Sequence, residues 1–297
     1  MFVNLVGVPN SGKSTLINKL IGKKISIVSH KVQTTRFCIR GIYNFNLTNK
    51  LKSQIIFVDT PGIFLPKRRL EKAMVSAAWS ELNFTDKIVF IHDVSKRLDK
   101  NSKEIIEQIF KIKTDLVLVL NKIDLLPKER ILKRISEIKN LYNFEETFLI
   151  SAKNGRGCDK LIKYLANKMP AHSFYYDENT ISDLPHSILA AEITREKLFK
   201  NLNQELPYNL TVETEKWDVN SDESINIQQI IYINKQSYKP IILRKQGQNI
   251  KKIGTVSRKE LEKLLETKVH LYLHIKVKKN WMDDPSKYSS VGLNYNA

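Results

Sequence analysis

The chain has 297 residues, a hydrophobic content of 42% and a formal net charge of +18, which fits a protein of about two domains with real cores. No apolar run approaches the roughly 18 residues that cross a bilayer, we expect no signal peptide, and two distant cysteines, Cys38 and Cys158, predict neither a disulfide framework nor a metal cluster. The positive charge predicts a polyanionic partner, either nucleic acid or an anionic membrane surface.

The first predicted strand runs directly into a glycine-rich loop. Residues 2–6 form an apolar run of strand type, residues 7–14 read GVPNSGKS, and residues 15–20 have helical spacing. A strand–GxxxxGK(S/T)–helix unit is typical of a phosphate-binding loop, and the flanks disfavour a glycine-rich turn that binds nothing. The nucleotide-binding residues predicted here are Gly7, Val8, Pro9, Asn10, Ser11, Gly12, Lys13, Ser14 and Thr15.

Each residue type in this loop has a chemical reason to be there. Gly7 and Gly12 allow a tight turn that points several backbone N–H groups at one anion, and the helix start adds its positive dipole end. Lys13 supplies a point charge for the outer phosphates and is the first predicted catalytic residue. The Ser14 hydroxyl can ligate Mg²⁺.

A pair of threonines follows the first helix. Residues 33–36 read QTTR. In a switch loop that orders only around a γ-phosphate, Thr34 or Thr35 can supply the second hydroxyl ligand of Mg²⁺. The sequence leaves the choice between the two open.

The next strand ends in an aspartate, within the stretch QIIFVDTPG at residues 54–62. In P-loop hydrolases a strand-end aspartate such as Asp59 holds Mg²⁺, usually through water. Gly62 can place a backbone N–H against a terminal phosphate and is a second predicted catalytic position. Taken alone, the stretch could be an ordinary strand-to-turn junction. Following the phosphate loop, it predicts nucleotide contacts from Asp59, Thr60, Pro61, Gly62 and Ile63.

The residue after this glycine bears on the rate of hydrolysis. Many regulatory GTPases carry a glutamine there, which orients the attacking water, whereas this chain has Ile63. A hydrophobic side chain cannot orient water, so hydrolysis must be slow or use another group. Asn10 is the third catalytic candidate, because it could help to hold a monovalent cation in the role of an arginine finger. A loop asparagine that only satisfies turn backbone is the open alternative.

Two further strand ends predict a guanine pocket. Residues 115–124 read DLVLVLNKID, and the carboxylate of Asp124 can accept two N–H bonds from guanine. Adenine offers no matching donors and would leave this carboxylate unpaired. Residues 146–152 read ETFLISA and match a weaker motif in which a backbone N–H meets the guanine carbonyl. The predicted pocket residues are Asn121, Lys122, Asp124, Ser151 and Ala152.

These motifs stand in the order expected of a GTPase, each beside a strand end where an α/β sheet binds ligands. They predict a doubly wound P-loop GTPase domain of the α/β class over residues 1–170. Further elements predicted in this domain are a strand at 87–94 and helices at 70–82, 102–112, 128–141 and 158–169, the last ended by Pro170.

The composition changes near residue 170. Proline, acidic residues and weak periodicity mark residues 171–185 as a linker. The following elements are an amphipathic helix at 187–202, strands at 209–219 and 225–234, a basic helical region with a glycine turn at 240–254, a helix at 257–265 and a strand at 269–281. This α-β-β-α-α-β order is that of the bacterial KH domain, an α+β RNA-binding module, predicted over 186–281 with a tail at 282–297.

Charge supports a nucleic-acid partner for this region. Residues 235–279 hold 13 Lys/Arg and 3 Asp/Glu. Contacts from these cations to phosphates would make nucleic-acid binding strongly salt-dependent. The alternative is a basic face that is only solvated. A KH domain grips its ligand with a GxxG loop, and here Arg244 replaces the first glycine and would obstruct a close backbone approach. The predicted RNA-binding residues are Arg244, Lys245, Gln246, Gly247, Lys251 and Lys252.

The chain resembles the Era family of bacterial GTPases over nearly its whole length. GVPNSGKSTLINKLIG, SIVSHKVQTTR, DTPGI, NKID and ISA are similar to the family's GTPase domain, in order. AAEITREKLF, ELPYNLTVETEKW, IKKIG and VHLYLHIKVKKNW are similar to its C-terminal domain, and this second group is absent from other GTPases. The departures are Arg244 and Ser11, where the family often has valine.

The resemblance implies a function. Era-like proteins bind GTP or GDP with Mg²⁺, hydrolyse GTP slowly, bind 16S rRNA near its 3′ end in the GTP state and assist maturation of the 30S subunit. Relatives with asparagine in the phosphate loop and a hydrophobic residue after DxxG use potassium, which favours a K⁺ role for Asn10. The resemblance also implies a cytoplasmic protein with peripheral association to the inner membrane, and we expect a monomer.

Two other functions are weighed against this hypothesis. The first is a membrane-surface regulatory GTPase whose basic C-terminal domain docks on anionic lipid, which the KH-like element order disfavours because a lipid patch needs no such fold. The second is an RNA chaperone with a vestigial nucleotide site, which the intact GTPase motifs disfavour.

Overall fold

The computed structural model describes residues 1–46, 52–112, 115–168, 172–203 and 205–297. They divide into two compact units: the first comprises Met1–Ser26, Thr35–Asp183 and Gly292–Ala297, and the second Ile27–Thr34 and Leu184–Val291. The helix end predicted at residue 169 and the boundary predicted after residue 170 lie outside the described residues. Across these described ranges, no helix is long and apolar enough to cross a bilayer.

The first unit is an open sheet with helices between its strands. The strands are β1 (Phe2–Val6), β2 (Ile39–Asn46), β3 (Lys52–Asp59), β4 (Lys87–Asp93), β5 (Leu116–Asn121) and β6 (Glu146–Leu149). The helices are α1 (Lys13–Ile21), α2 (Arg69–Ser80), α3 (Lys100–Ile112), α4 (Lys128–Lys139) and α5 (Cys158–Asn167). The strand order is β2-β3-β1-β4-β5-β6, with β2 antiparallel to β3 and the other pairs parallel. The predicted doubly wound architecture is confirmed.

Burial explains why these strands form the centre of the unit. Strands β4 and β5 are buried along their whole length and β1 nearly so, as parallel strands covered by helices on both faces must be. In the register, Leu5 of β1 pairs with Asp59 of β3, and Asp93 of β4 pairs with Asn121 of β5. The carboxyl ends of these four strands therefore share one edge of the sheet, which is where α/β sheets bind ligands.

The second unit is a three-stranded sheet with helices. Its helices are α6 (His186–Asn201), α7 (Tyr238–Leu243), α8 (Gln248–Leu265) and the short α9 (Ser286–Ser289), and its strands are β7 (Leu210–Val219), β8 (Ile225–Ile233) and β9 (Val269–Val277). The strand order is β7-β8-β9, antiparallel in the first pair and parallel in the second. The predicted α-β-β-α-α-β order is confirmed.

Two details of this unit differ from the sequence prediction. Helix α8 begins at Gln248, nine residues before the predicted start at 257, and runs on through Gly254. Gly254 is tolerated because one glycine lowers helix stability only by about 1 kcal/mol, so it does not end a helix held by packing. Strand β9 stops at Val277, and Trp281 opens a 3₁₀ turn instead of ending the predicted strand.

Helix α6 is not the amphipathic helix that its spacing predicts. Every residue from Leu189 to Phe199 is buried, including Glu192, Arg195 and Glu196. Its apolar residues pack in the core of the second unit, against residues such as Leu210 and Leu261. Its charged residues are buried as well, because residues 27–34, distant in sequence, belong to the same unit.

Candidate functional site: a phosphate loop with a hydroxyl cluster, and a basic turn

The phosphate loop follows β1 and leads into α1. Gly12 has φ 104°, and a Cβ atom there would lie 2.1 Å from the side-chain nitrogen Nδ2 of Asn121, so no side chain fits. The Lys13 ammonium is buried and donates to the backbone carbonyls of Gly7 (2.9 Å) and Val8 (3.3 Å). Burial lowers the pKa of Lys13 to about 8, while the nearby charge of Asp59 acts in the opposite direction. A lysine held in this state gains from an anion that replaces its lost hydration.

Four oxygen-bearing side chains meet at the end of β3. The Ser14 Oγ donates to Asp59 Oδ2 at 2.7 Å and lies 2.9 Å from Thr35 Oγ1. Ser26, which the sequence analysis missed, also donates to Asp59 Oδ2 at 2.7 Å. Burial raises the pKa of Asp59 above its usual value, against the hydrogen bond from Ser14 and the charge of Lys13. The site thus concentrates hydroxyl and carboxylate oxygens beside the phosphate loop.

These oxygens fit a magnesium ion. Asp59 is fully buried, and within the described residues its Oδ1 atom has no hydrogen-bond partner. A buried carboxylate oxygen without a partner is costly, and hard cations such as Mg²⁺ take oxygen ligands of this kind.

The two predicted threonines are placed differently. Thr35 belongs to the first unit and its hydroxyl joins the Ser14–Asp59 cluster. Thr34 belongs to the second unit, and its hydroxyl lies 2.8 Å from the Lys31 carbonyl, to which it donates, and 2.9 Å from Ser29 Oγ. The hydroxyl available beside Asp59 is therefore that of Thr35.

The DTPGI stretch continues from β3 with buried side chains. The Thr60 hydroxyl donates to the Leu5 carbonyl at 2.8 Å, which ties the start of this loop to β1. Ile63 is buried in the core of the first unit with Val6 and Phe90. A hydrophobic residue at this position thus has a packing role in the core of the unit.

The predicted base pocket is built around Asn121. Its side-chain amide donates to the Ser11 carbonyl, and its side-chain carbonyl accepts from the Ala152 N–H, both at 2.9 Å. This one side chain therefore links the phosphate loop to the ISA stretch. Ser151 is fully buried, and its Oγ has no partner in the described part of the chain.

Lys122 braces the same pocket. Its ammonium donates to the Asn10 carbonyl at 2.8 Å and to Asp93 Oδ2 at 2.7 Å. Burial alone would raise the pKa of Asp93, but the bonds from Lys122 and Ser95 hold it below its usual value. Asp93 is not among the residues predicted from the sequence, although it ends β4 as Asp59 ends β3. Asp124, the predicted guanine ligand, is exposed.

The basic turn of the second unit joins α7 to α8. Arg244 has φ 56° and ψ −174°, Gln246 has φ 51° and Gly247 has φ 71°. The combination at Arg244 is one that only glycine adopts easily, so the backbone keeps the glycine conformation although the side chain is arginine. Arg244, Lys245 and Gln246 are exposed.

An open groove lies against this turn. Its volume is about 1000 Å³, and Gln236, Ser237, Lys239, Pro240, Leu243, Arg244 and Lys245 line it. Helix α8 follows this turn, and Lys251 and Lys252 are exposed near its N-terminal end. The arrangement presents several cations and a groove to a polyanion, as nucleic-acid binding requires.

Comparisons with known proteins match both units. A family model described as a 50S ribosome-binding GTPase matches residues 2–122, and a KH domain model matches residues 205–282. GTPase Era of Brucella suis is 47% identical over 294 residues, which are 99% of this chain and 93% of that protein. GTPase Era of Rhizobium meliloti is 48% identical over 294 residues, with 99% and 92% covered.

Two solved structures are similar over both units. A point variant of Aquifex aeolicus Era bound to GDP.AlF4- has a TM-score of 0.91 and 36% identity, and 98% of each chain is covered. Era in complex with MgGDPNP and nucleotides 1506–1542 of 16S ribosomal RNA has the same TM-score and identity, with 98% of this chain and 97% of that chain covered.

Proposed function

The chain belongs to the GTPase Era family, and we propose that it binds 16S rRNA near its 3′ end in its GTP-bound state and assists maturation of the 30S subunit. It is a GTPase with a KH domain. The observation that carries the proposal is the presence, in one chain, of a phosphate loop with a hydroxyl cluster and of a basic KH turn beside an open groove.

We assign the nucleotide to the carboxyl edge of the first sheet. The phosphate-loop residues from Gly7 to Thr15 and the 59–63 stretch would contact the phosphates. Lys13 would exchange its backbone carbonyl partners for phosphate oxygens and would stabilise charge on the transferring group. Asn121, Lys122, Asp124, Ser151 and Ala152 would form the base pocket, with Asp124 selecting guanine.

Magnesium belongs to the same proposal. Ser14 and Thr35 would hold the ion by their hydroxyls and Asp59 would complete its shell, in keeping with the orphaned Oδ1 atom. When bound, Mg²⁺ neutralises negative charge on the nucleotide phosphates. Thr34 is the weaker candidate, because its hydroxyl already bonds within residues 29–34.

A potassium requirement extends the proposal to the catalytic step. Ile63 packs in the core and cannot orient water, so a group other than this side chain must serve the reaction. Asn10 holds a left-handed backbone conformation (φ 65°) within the phosphate loop, where a monovalent cation would act on the phosphates. Hydrolysis that is faster in K⁺ than in Na⁺ would support the assignment if the Asn10→Ala variant hydrolyses GTP at the same rate in both salts. Equal rates in both salts would remove it.

The proposal also covers the residues that bind RNA, the oligomeric state and the location of the protein in the cell. Arg244, Lys245, Gln246 and Gly247 with Lys251 and Lys252 would contact the RNA backbone through charge and exposed backbone. We propose a monomer that works in the cytoplasm on the 30S subunit, with its net charge of +18 permitting peripheral contact with the inner membrane. The division into residues 1–170, 171–185, 186–281 and 282–297 stays a prediction.

The test is RNA binding in two nucleotide states. Fluorescence anisotropy of an oligonucleotide from the 3′ end of 16S rRNA is measured with protein loaded with a non-hydrolysable GTP analogue and then with GDP. We expect binding at least tenfold tighter in the GTP-analogue state, and no nucleotide response in Lys13→Ala. A scrambled oligonucleotide of equal length controls for charge.

Equal, weak and purely salt-driven binding in both states would contradict the proposal. Liposomes of anionic lipid, titrated in parallel, would then decide whether the basic surface serves a membrane instead.

A further inference from the structure

The turn after β4, in the first unit, is tied to the end of β5, where the predicted base pocket begins. Asp93 is the last residue of β4 and pairs in register with Asn121, the last residue of β5. The Val94 N–H donates to the Asn121 carbonyl at 3.0 Å, and the Lys96 N–H donates to the Asp93 carbonyl at 3.0 Å. The backbone that carries the Asp93 side chain is therefore fixed relative to the end of β5.

Both carboxylate oxygens of Asp93 have partners, and the residue is only 3% exposed. Oδ1 accepts from the Ser95 N–H at 3.0 Å and from the Ser95 hydroxyl at 2.6 Å, and Oδ2 accepts from the Lys122 ammonium at 2.7 Å. An ionised carboxylate offers two acceptor oxygens and no donor. The isosteric asparagine would have to turn its NH₂ group toward the Ser95 N–H or the Lys122 ammonium, which are themselves donors. The surroundings of this side chain therefore suit a carboxylate and no neutral isostere.

Lys122 joins Asp93 to the phosphate loop. Its backbone has φ 66°, in the left-handed region that few residues with side chains adopt, and its N–H donates to Asn121 Oδ1 at 2.8 Å. Its ammonium donates both to Asp93 Oδ2 and, at 2.8 Å, to the Asn10 carbonyl. Because a lysine stem is flexible, an anion held at a fixed point decides where the ammonium stands.

Two neighbouring carbonyls of the phosphate loop are held from the end of β5. The Ser11 carbonyl accepts from Asn121 Nδ2 at 2.9 Å, and the Asn10 carbonyl accepts from Lys122. The loop turns sharply at this point, since Asn10 has φ 65° and Gly12 has φ 104°. Of these two bonds, the one made by Lys122 is the one that Asp93 directs.

A buried ion pair is costly for a purely structural role at this turn. A carboxylate and an ammonium lose hydration when they are buried, and apolar side chains of similar volume often give equal or greater stability. A turn that follows a strand needs only local hydrogen bonds of the kind that Ser95 makes. What the pair adds is a cation that is directed at the phosphate loop.

We propose that Asp93 is a positioning residue for guanine-nucleotide binding: it holds the Lys122 ammonium against the Asn10 carbonyl and so fixes the phosphate loop relative to the base pocket. The proposal rests on the proposed function, since it assumes that the nucleotide lies at this edge of the sheet. Asp93 acts on the nucleotide through Lys122. All of the contacts that carry the inference lie within the first unit.

The test is the rate constant koff at which bound GDP leaves the protein. Protein loaded with N-methylanthraniloyl-GDP and Mg²⁺ is chased with excess unlabelled GDP, and the decay of fluorescence gives koff. For Asp93→Asn we expect koff to rise by about 10- to 100-fold, because a charge-assisted bond is lost and a donor is left facing a donor. The KM for GTP should rise as well, while kcat stays within about twofold, because this chain of contacts serves binding and not the transferring phosphoryl group.

A double-mutant cycle shows whether Asp93 acts through Lys122. Lys122→Met keeps most of the stem and removes the ammonium, so adding Asp93→Asn to it should change koff by less than about twofold. Glu145→Gln is the matched control. Glu145 pairs with Lys87, the first residue of β4, so this change removes a carboxylate from a lysine pair at the other end of the same strand. It should leave koff at the wild-type value.

A second variant keeps the test valid if Asp93→Asn folds poorly. Ser95→Ala, at a half-buried residue, keeps the carboxylate but removes the hydroxyl that donates to its Oδ1 atom. It should raise koff by about threefold, the effect of one ordinary hydrogen bond, and this rise should vanish in the Lys122→Met background. Melting temperatures of all variants are measured alongside.

Three results would overturn the proposal. They are an unchanged koff in both Asp93→Asn and Ser95→Ala, effects of these changes that add to that of Lys122→Met, and an equal rise of koff in Glu145→Gln. If Lys122→Met itself releases GDP at the wild-type rate, the placement of the nucleotide in the proposed function fails instead, which separates the two failures.

Discussion

Lys13 is buried between backbone carbonyls of its own loop, and this burial lowers its pKa to about 8. Below pH 8 the amine carries its charge before nucleotide binds. Above pH 8 it is increasingly neutral, and binding a phosphate, which favours the charged form, must then take up a proton. The affinity for GDP should therefore weaken as pH rises above about 8, approaching tenfold per pH unit.

The measurement is a GDP titration by fluorescence between pH 7 and 9.5. Lys13→Met is the matched control, since it lacks the amine but retains the guanine pocket. Its pH profile reports the part of the change in affinity that comes from titration of the guanine base itself at high pH. A wild-type pH profile parallel to that of Lys13→Met would show that this lysine does not take up the proton.

The backbone conformation of Arg244 leads to a second prediction about a single residue. Its φ of 56° with ψ of −174° lies in a region that costs about 1–3 kcal/mol for a residue with a side chain. Arg244→Gly removes that cost but adds flexibility to the unfolded chain, worth about 0.5–1 kcal/mol in the other direction. We expect a net gain of about 1 kcal/mol in the free energy of unfolding, read by urea denaturation. Lys245→Gly, at a neighbour without positive φ, should give no gain, and a loss of stability in Arg244→Gly would contradict the strain.

At the scale of elements, helix α8 contains a glycine that lowers its stability. Gly254 lies inside this 18-residue helix, and an added Cβ would meet Leu273 Cδ1 at 3.5 Å, an ordinary contact. Gly254→Ala should raise the free energy of unfolding of this unit by about 0.5–1 kcal/mol. Gly41→Ala in β2 is the opposite case, because its Cβ would lie 2.5 Å from Ile25 Cδ1, and it should destabilise by about 1–3 kcal/mol. Thermal unfolding checks both signs, and the same sign for both would refute the contact argument.

Element identity was readable from local patterns, whereas the bonds between elements were not. The strand before GVPNSGKS and the strands ending at Asp59 and Asn121 show as apolar runs followed by polar residues. The bond from Ser26 to Asp59 is not visible in this way, because it joins residues 33 positions apart. Helix α6 is the strongest case. Its charged residues predicted a solvated face, and they are buried because a segment far away in sequence packs on them.

At the scale of the whole molecule, charge is concentrated in one part of the chain. The 13 Lys/Arg of residues 235–279 include the exposed Lys245, Lys251 and Lys252 near the KH turn. Each phosphate neutralised on single-stranded RNA adds about 0.7 to the slope of log affinity against log salt. Changing these three lysines to alanine should therefore reduce the slope by about 2.

A control for net charge is available in the first unit. Changing three exposed lysines of α4, Lys128, Lys133 and Lys139, to alanine removes the same charge from another surface. The slope should then change little. Equal reductions in both triple variants would mean that RNA responds to overall charge and not to the KH turn.

The attachment of residues 27–34 to α6 also orders events during synthesis. The Val28–Glu196 bond joins residues 168 positions apart, so at about 5–20 residues per second the ribosome makes the segment roughly 10–30 s before its helix. During that interval the nascent chain already contains the phosphate loop and Asp59, but residues 27–34 have no α6 to dock on. Residues 27–34 can therefore reach their native packing only after α6 has left the ribosome.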